Sequence, residues 1–453
     1  LYHTKTTKEK IRLFLAILWP ILVTQVGYNA MTLFDTIMSG KYGTEDLAAV
    51  AIGSSLWSMV FVSVNGLLLA VTPIVSQYVG AGRKDRITPT VTQALYLSFV
   101  IGVLVIVAGL LFVKPILTMM QLEPAVHELT VKYLTGLSFG IVPLFLSTVI
   151  RNFFDAQGQT KITMRIIIIA VPLNIALNYV LIFGKLGLPA FGGPGAGYAT
   201  AIAYWIILII SVWMTFRIDE MRSHELFRRW SPPSLRAWKE LLAIGTPIGL
   251  SVFFEASIFS VMTLLMGSMF DTATIAAHQA AISWSGLLFM MPLSISMALT
   301  ILVGYEVGAA RLPHAKAYSR IGVTSALGII ALSAVVLYFH RDTVAYFFTD
   351  SPEVAALIQQ FLIYVIFFQL SDASQASLQG ALRGYKDVTI PFLIALIAYW
   401  IIGIPAGYAL ASWTAFGPFG FWVGIIAGLT CAAAGFFLRL RIVQKRLSPR
   451  PSA

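Results

Sequence analysis

Asp35, Glu255 and Asp372 each lie inside a stretch apolar enough to cross a lipid bilayer. A charged side chain at the bilayer centre costs roughly 3 kcal/mol or more, so such groups are rare and face a water-filled cavity, a partner or an ion path. Around Asp35, in WPILVTQVGYNAMTLFDTIMSG (19–40), helical spacing sets Thr24, Tyr28, Met31 and Asp35 on one face. That face offers a hydroxyl, a phenol, a thioether and an acid. Two readings are open for Asp35. It is an acid near the outer interface, since Ser39 to Asp46 follow soon after, or a carboxylate that loads and releases a proton or binds a cation. Asn174 and Asn178, one turn apart beside Pro172, are its expected neighbours. They supply oxygens for a cation or donors for a carboxylate, or else bond two helices together.

Glu255 sits in the middle of PIGLSVFFEASIFSVM (247–262), with Ser251, Phe259 and Met262 on its face. Asp372 lies in FFQLSDASQASLQG (367–380), among Gln369, Ser371, Ser374, Gln375 and Gln379, and a span this polar must face the interior. Glu255 and Asp372 together could form a cation site of hard oxygen ligands. His278 is read as structural and Glu306 as the partner of nearby Arg311. The chain carries 14 Met and 30 Phe, residues whose adaptable apolar surfaces suit binding of flat cations.

The elements that must position these groups follow from composition. The 453 residues are 58% hydrophobic and 11% charged, with mean hydropathy +0.82, whereas a soluble domain is about a quarter charged. The expectation is an all-α polytopic membrane protein. About twelve spans are expected, at 11–35, 47–79, 88–113, 126–150, 162–183, 195–216, 238–268, 274–307, 315–339, 353–380, 388–411 and 417–438. The first is too long for a signal-peptide core and is taken as a span. The single cysteine, Cys431, allows no internal disulfide.

The net charge of +11 is not a nucleic-acid footprint, because it is sorted by side. Of the 31 basic residues, only Lys41, Lys114, Lys132, Lys185 and Arg341 fall on one side of the expected spans. This positive-inside pattern places both termini and the middle linker in the cytoplasm. The linker, RIDEMRSHELFRRWSPPSLRAWKE (217–240), reads as an interfacial segment on anionic lipid. It divides the chain into a bundle at 1–216, a linker at 217–237, a second bundle at 238–440 and a cytoplasmic tail at 441–453.

The two halves resemble one another. VSQYVGAGR (75–83) and VGYEVGAAR (303–311) recur at an offset of 228, as do LAAVA (47–51) and IAAHQ (275–279). Pro20 and Pro247, and Gly40 and Gly267, match at 227, and Gly158 with Gly384 and Thr163 with Thr389 at 226. Six spans per half make the repeats parallel, related by a pseudo-two-fold axis along the membrane normal, with a substrate path between them. Pro73, Pro143, Pro172, Pro292 and Pro405 mark kinks or hinges. Gly192 to Gly197 reads as an outer turn.

The six-span halves, the paired VGAGR and VGAAR segments and LQGALRGYKDVTIP after the tenth span are similar to the multidrug and toxic compound extrusion (MATE) family, in its bacterial NorM/DinF-like branch. The resemblance implies a V-shaped pair of bundles that exports amphipathic, cationic compounds in exchange for H⁺ or Na⁺. It implies ion coupling at Asp35, and cation binding at Glu255 and Asp372, the pair that would hold Na⁺ as the metal. H⁺ is preferred because Asn and Tyr neighbours suit a neutral, hydrogen-bonded Asp35. Tyr28, Met31, Asp35, Asn174, Asn178 and Met262 are the expected substrate contacts. No cofactor, enzyme activity or nucleic-acid partner is expected. The expected partners are cationic small molecules and membrane lipid, and the protein is expected to work as a monomer in the bacterial plasma membrane. The alternative is a flippase for lipid or lipid-linked precursors, which would line its cavity with basic residues.

Overall fold

A computed structural model describes residues 3–449, and among them all regular structure is helical. Eleven helical segments are long and apolar enough to cross a membrane. In chain order these are α1 (Thr7–Tyr42), α2 (Thr44–Leu68) running on into α3 (Val71–Gly80), α4 (Lys84–Met119), α7 (Thr160–Phe183), α8 (Gly193–Arg217), α10 (Leu235–Met269), α11 (Thr272–Gly308), α12 (Leu312–Phe348), α13 (Pro352–Gly384), the segment Thr389–Trp413 and α16 (Phe419–Leu447). A further span is the pair α5 (Pro124–Ser138) and α6 (Ile141–Ala156), bent by 47° where they join. Short α9 (Asp219–Arg222) lies in the linker. Thr389–Trp413 is built from α14 (Thr389–Leu396), a π-helical turn at Ile397–Gly403 and α15 (Ile404–Trp413). The twelve expected spans match these segments in order, with 388–411 and 417–438 beginning one and two residues before theirs.

The chain forms two compact units, Pro20–Gly249 and a second that joins the described residues up to Trp19 to those from Leu250 on. The cuts fall inside α1 and α10, beside Pro20 and Pro247, rather than at the linker. In the first unit the linker is held by protein. Gln93 on α4 donates to the Pro232 carbonyl (2.8 Å) and the Ser231 hydroxyl (3.1 Å), and accepts from the Ser234 amide (2.9 Å) and the Trp238 indole (3.1 Å). Thr88 donates to the His224 carbonyl at 2.7 Å, and Met221 and Leu226 are buried.

The glycine run is not an outer turn. Gly193 opens α8, and its amide donates to Asp46 at 2.7 Å. The run is needed for close packing, since a Cβ on Gly197 would lie 2.4 Å from the Tyr133 carbonyl.

The sequence repeat is a backbone repeat. Gly82 and Ala310, 228 apart, both take left-handed φ, +71° and +57°. The next residue in each case, Arg83 or Arg311, donates its amide five residues back, at 2.9 Å. Gly158 (φ +78°) pairs in the same way with Lys386 (φ +57°), so the equivalent of Gly158 is Lys386 and not Gly384. Gly384 resembles Gly158 in sequence only, because the left-handed position in the second half is occupied by lysine.

Candidate ion-coupling and substrate sites

In the first unit, Asp35 is buried at 4% exposure. Asn178 on α7 donates to its Oδ1 at 2.7 Å, and the Thr200 hydroxyl on α8 donates to its Oδ2. Asn178 also reaches Asn174 Oδ1 at 3.4 Å. Asp35 is therefore bonded to Asn178, which in turn reaches Asn174, so the two expected neighbours are present. Thr200 was not foreseen: it lies in an alanine- and glycine-rich helix start with no acid or amide beside it to draw attention. Thr24 and Met31 on the same face of α1 are buried, and Tyr28 is half-buried beside the Arg151 guanidinium, 5.5 Å from its ring centre. The donors to Asp35 are neutral, so its charge is not balanced by an ion pair. A buried carboxylate in that state binds a proton or a cation readily.

In the second unit, Glu255 on α10 and Asp372 on α13 are joined by one side chain. Gln375 Nε2 donates to Glu255 Oε1 at 2.9 Å and to Asp372 Oδ1 at 2.8 Å. The Tyr399 hydroxyl donates to Gln375 Oε1 at 2.8 Å and fixes the amide's orientation. Tyr399 sits in the π-helical turn, a distortion often found at functional sites. The buried Arg383 guanidinium acts electrostatically on Glu255. Tyr399 and Arg383 were not foreseen, since Tyr399 has no acid near it in sequence and Arg383 counts there as a cation of the loop after the tenth span. Met262, a predicted substrate contact, is buried in this unit.

Two other predicted groups have structural partners. Trp422 donates to His278 Nδ1 at 3.0 Å, so the ring's proton is on Nε2, which faces Thr263 Oγ1 at 3.1 Å. Glu306 is fully buried, with Arg311 Nε at 3.4 Å. Among the described residues no group of three or more His, Cys, Asp or Glu side chains could hold a metal.

Up to twelve apolar helices, with acids buried among them in both units, are the make-up of a multi-pass membrane transporter. The MatE family model matches residues 20–180 and 247–409, each stretch beginning at one of the paired prolines, and the chain belongs to this family. It is similar to a "Probable multidrug resistance protein NorM" of Oceanobacillus iheyensis, 52% identical over 446 residues, 98% of this chain and 100% of the relative. A protein of the same description from Bacillus subtilis is 48% identical over 448 residues, 99% of each chain. Among solved structures, a MATE protein in a bent conformation has a TM-score of 0.89 at 20% identity, over 98% of this chain and 96% of that one. The eukaryotic MATE transporter AtDTX14 has a TM-score of 0.86 at 20% identity, over 98% and 100%.

Proposed function

We propose that this protein exports amphipathic, cationic compounds from the bacterial cell by antiport with H⁺, through alternating access. The observation that carries this reading is Asp35, buried and held by neutral donors alone. With a proton it is a neutral acid whose O–H the Thr200 hydroxyl oxygen can accept while Asn178 donates to the other carboxyl oxygen. Without one it is an unpaired negative charge that attracts a cationic drug. Proton and drug therefore compete for one group, and their differential affinity for the two access states supplies the work. Tyr28, Met31, Asn174 and Asn178 would line the drug's path in the first unit, and Met262 in the second. The names of the relatives support drugs as the substrate class.

The distribution of basic residues supports both termini and the linker lying in the cytoplasm, with the two halves acting as six-helix bundles of a monomer in the plasma membrane. A Na⁺-coupled reading has its own support in Glu255 and Asp372, two buried carboxylates tied to one amide. The test is accumulation of a fluorescent amphipathic cation in cells making the wild type or Asp35→Asn. The wild type should exclude the dye and the variant should not. Equal exclusion by both would overturn the assignment of Asp35.

A further inference from the structure

The first unit buries a second acid that the coupling scheme does not use. Asp155 lies in the last turn of α6, at 5% exposure. The carbonyl end of a helix disfavours a negative charge. Thr163 Oγ1 on α7 donates to Asp155 Oδ1 at 3.0 Å. One turn earlier on the same helix is Arg151, also buried, whose Nε has no hydrogen-bond partner among the described residues. Arg151 lines a small internal cavity with Tyr28, Ser147, Thr163 and Ser211, closed on its other side by Phe154 and three isoleucines, and Asp155 reaches it through Thr163. The serine hydroxyls donate to carbonyls of their own helices, at 2.8 Å from Ser147 and 2.7 Å from Ser211, which leaves their lone pairs free for water. Arg151 Nη2 donates to Asn65 Oδ1 at 3.3 Å, and the Nε together with the hydroxyls gives one wall of the cavity the polar partners that a bound water needs.

Tyr28, which lines this cavity, stands two turns before Asp35 on the same face of α1, about 10 Å along the axis, and Tyr204 on α8 acts electrostatically on both. On the far side of Asp155 the chain reaches Gln157, which meets the His224 ring of the linker at 2.6 Å. Asp155 therefore stands between the Asp35 face and the side that carries the basic loops.

We propose that Asp155 is a proton relay between Asp35 and the basic-loop side, working through Tyr28 and water in the Arg151 cavity. The inference rests on the proton-coupled reading above. In the step, the Asp35 carboxyl O–H breaks and its proton passes along the Tyr28 hydroxyl and cavity water. A new O–H forms on the Asp155 carboxylate, Asp35 is left ionised, and Asp155 then loses the proton to water. Arg151 stabilises the ionised Asp155 and Thr163 orients it. The charged and titratable groups around Asp155 are Arg151 on its own helix and Tyr28 on α1, with His224 and, beyond it, Lys84 on the linker side.

The test is stopped-flow proton release, read by a pH dye in weak buffer, when an amphipathic cation binds the purified full chain. Asp155→Asn should leave drug affinity and the number of protons released unchanged but slow release about tenfold or more. A small permeant weak acid such as azide should restore the rate, because it carries the proton that the missing carboxylate no longer does. An unchanged rate, or a slowed rate that azide does not restore, would overturn the relay. A wild type that releases no proton would overturn the proton-coupled reading itself, and the relay with it. If Asp155→Asn does not fold, Thr163→Val serves. It should alter the pH at which release is half as fast as its maximum, and Thr163→Ser should restore it. No change with Thr163→Val would count against the relay.

Discussion

Glu255 and Asp372 accept hydrogen bonds from a single amide nitrogen, that of Gln375, at 2.9 and 2.8 Å. The two acids come from helices more than a hundred residues apart, and one carboxamide sets their mutual position. Gln375→Leu would leave both carboxylates without that donor and the Tyr399 hydroxyl without its acceptor. Each buried group so stranded costs about 1–3 kcal/mol. The remaining negative charges then favour a bound proton or cation. The variant should melt lower than the wild type in neutral, Na⁺-free buffer and recover part of the loss in mild acid or Na⁺. Melting curves of the purified protein under the three conditions check this, and an equal loss in all three would contradict it.

Asp35 separates stability from transport. Asp35→Asn keeps an oxygen to accept from Thr200 or Asn178, and its new N–H can face Asn178 Oδ1, which has no partner among the described residues. Asp35→Ala strands both donors. The alanine variant should therefore lose about 2 kcal/mol or more of stability, while the asparagine variant stays close to wild type. Thermal or denaturant unfolding in detergent measures the difference.

Ala310 holds a left-handed conformation, φ +57°, where its repeat partner is Gly82. That conformation costs a Cβ-bearing residue about 1–2 kcal/mol. Ala310→Gly should raise stability by up to about 1 kcal/mol, after the entropy that glycine adds to the unfolded chain. Gly82→Ala should lower it, and a melting comparison of the two variants reads both signs.

The linker should be sensitive to acid through His224. Burial, with Lys84 nearby, lowers its pKa from the usual 6.5 to about 4 when the linker is docked. The undocked ring binds its proton at about 6.5, so docking is at full strength above that pH and weakens as pH falls from 6.5 towards 4. Hydrogen exchange across residues 219–234 should rise over that window. His224→Phe, which keeps an aromatic ring on Phe153, should flatten the rise. A rise of equal size in the variant would assign the effect to other groups.

The helices were legible because long apolar runs interrupted by basic loops have few other solutions. The acids at depth were legible for the same reason: a carboxylate in WPILVTQVGYNAMTLFDTIMSG stands out against its neighbours. Asp155 was not, because the expected fourth span ends at residue 150, which leaves the acid in a loop. Thr200, Tyr399 and Arg383 are joined to their acids only by tertiary packing, which leaves no local pattern. The unit boundaries at Pro20 and after Gly249 were also hidden. Charge marks where the chain leaves the bilayer, whereas the packing divides inside two unbroken helices.

The central claim is that Asp35 carries the coupling proton. The direct measurement is export of a fluorescent cation from proteoliposomes, with the pH gradient and the Na⁺ gradient imposed separately, for the wild type and Asp35→Asn. The account predicts that the pH gradient alone drives export and that Asp35→Asn abolishes it. Export driven by Na⁺ alone and unaffected by Asp35→Asn would contradict it and move coupling to Glu255 and Asp372.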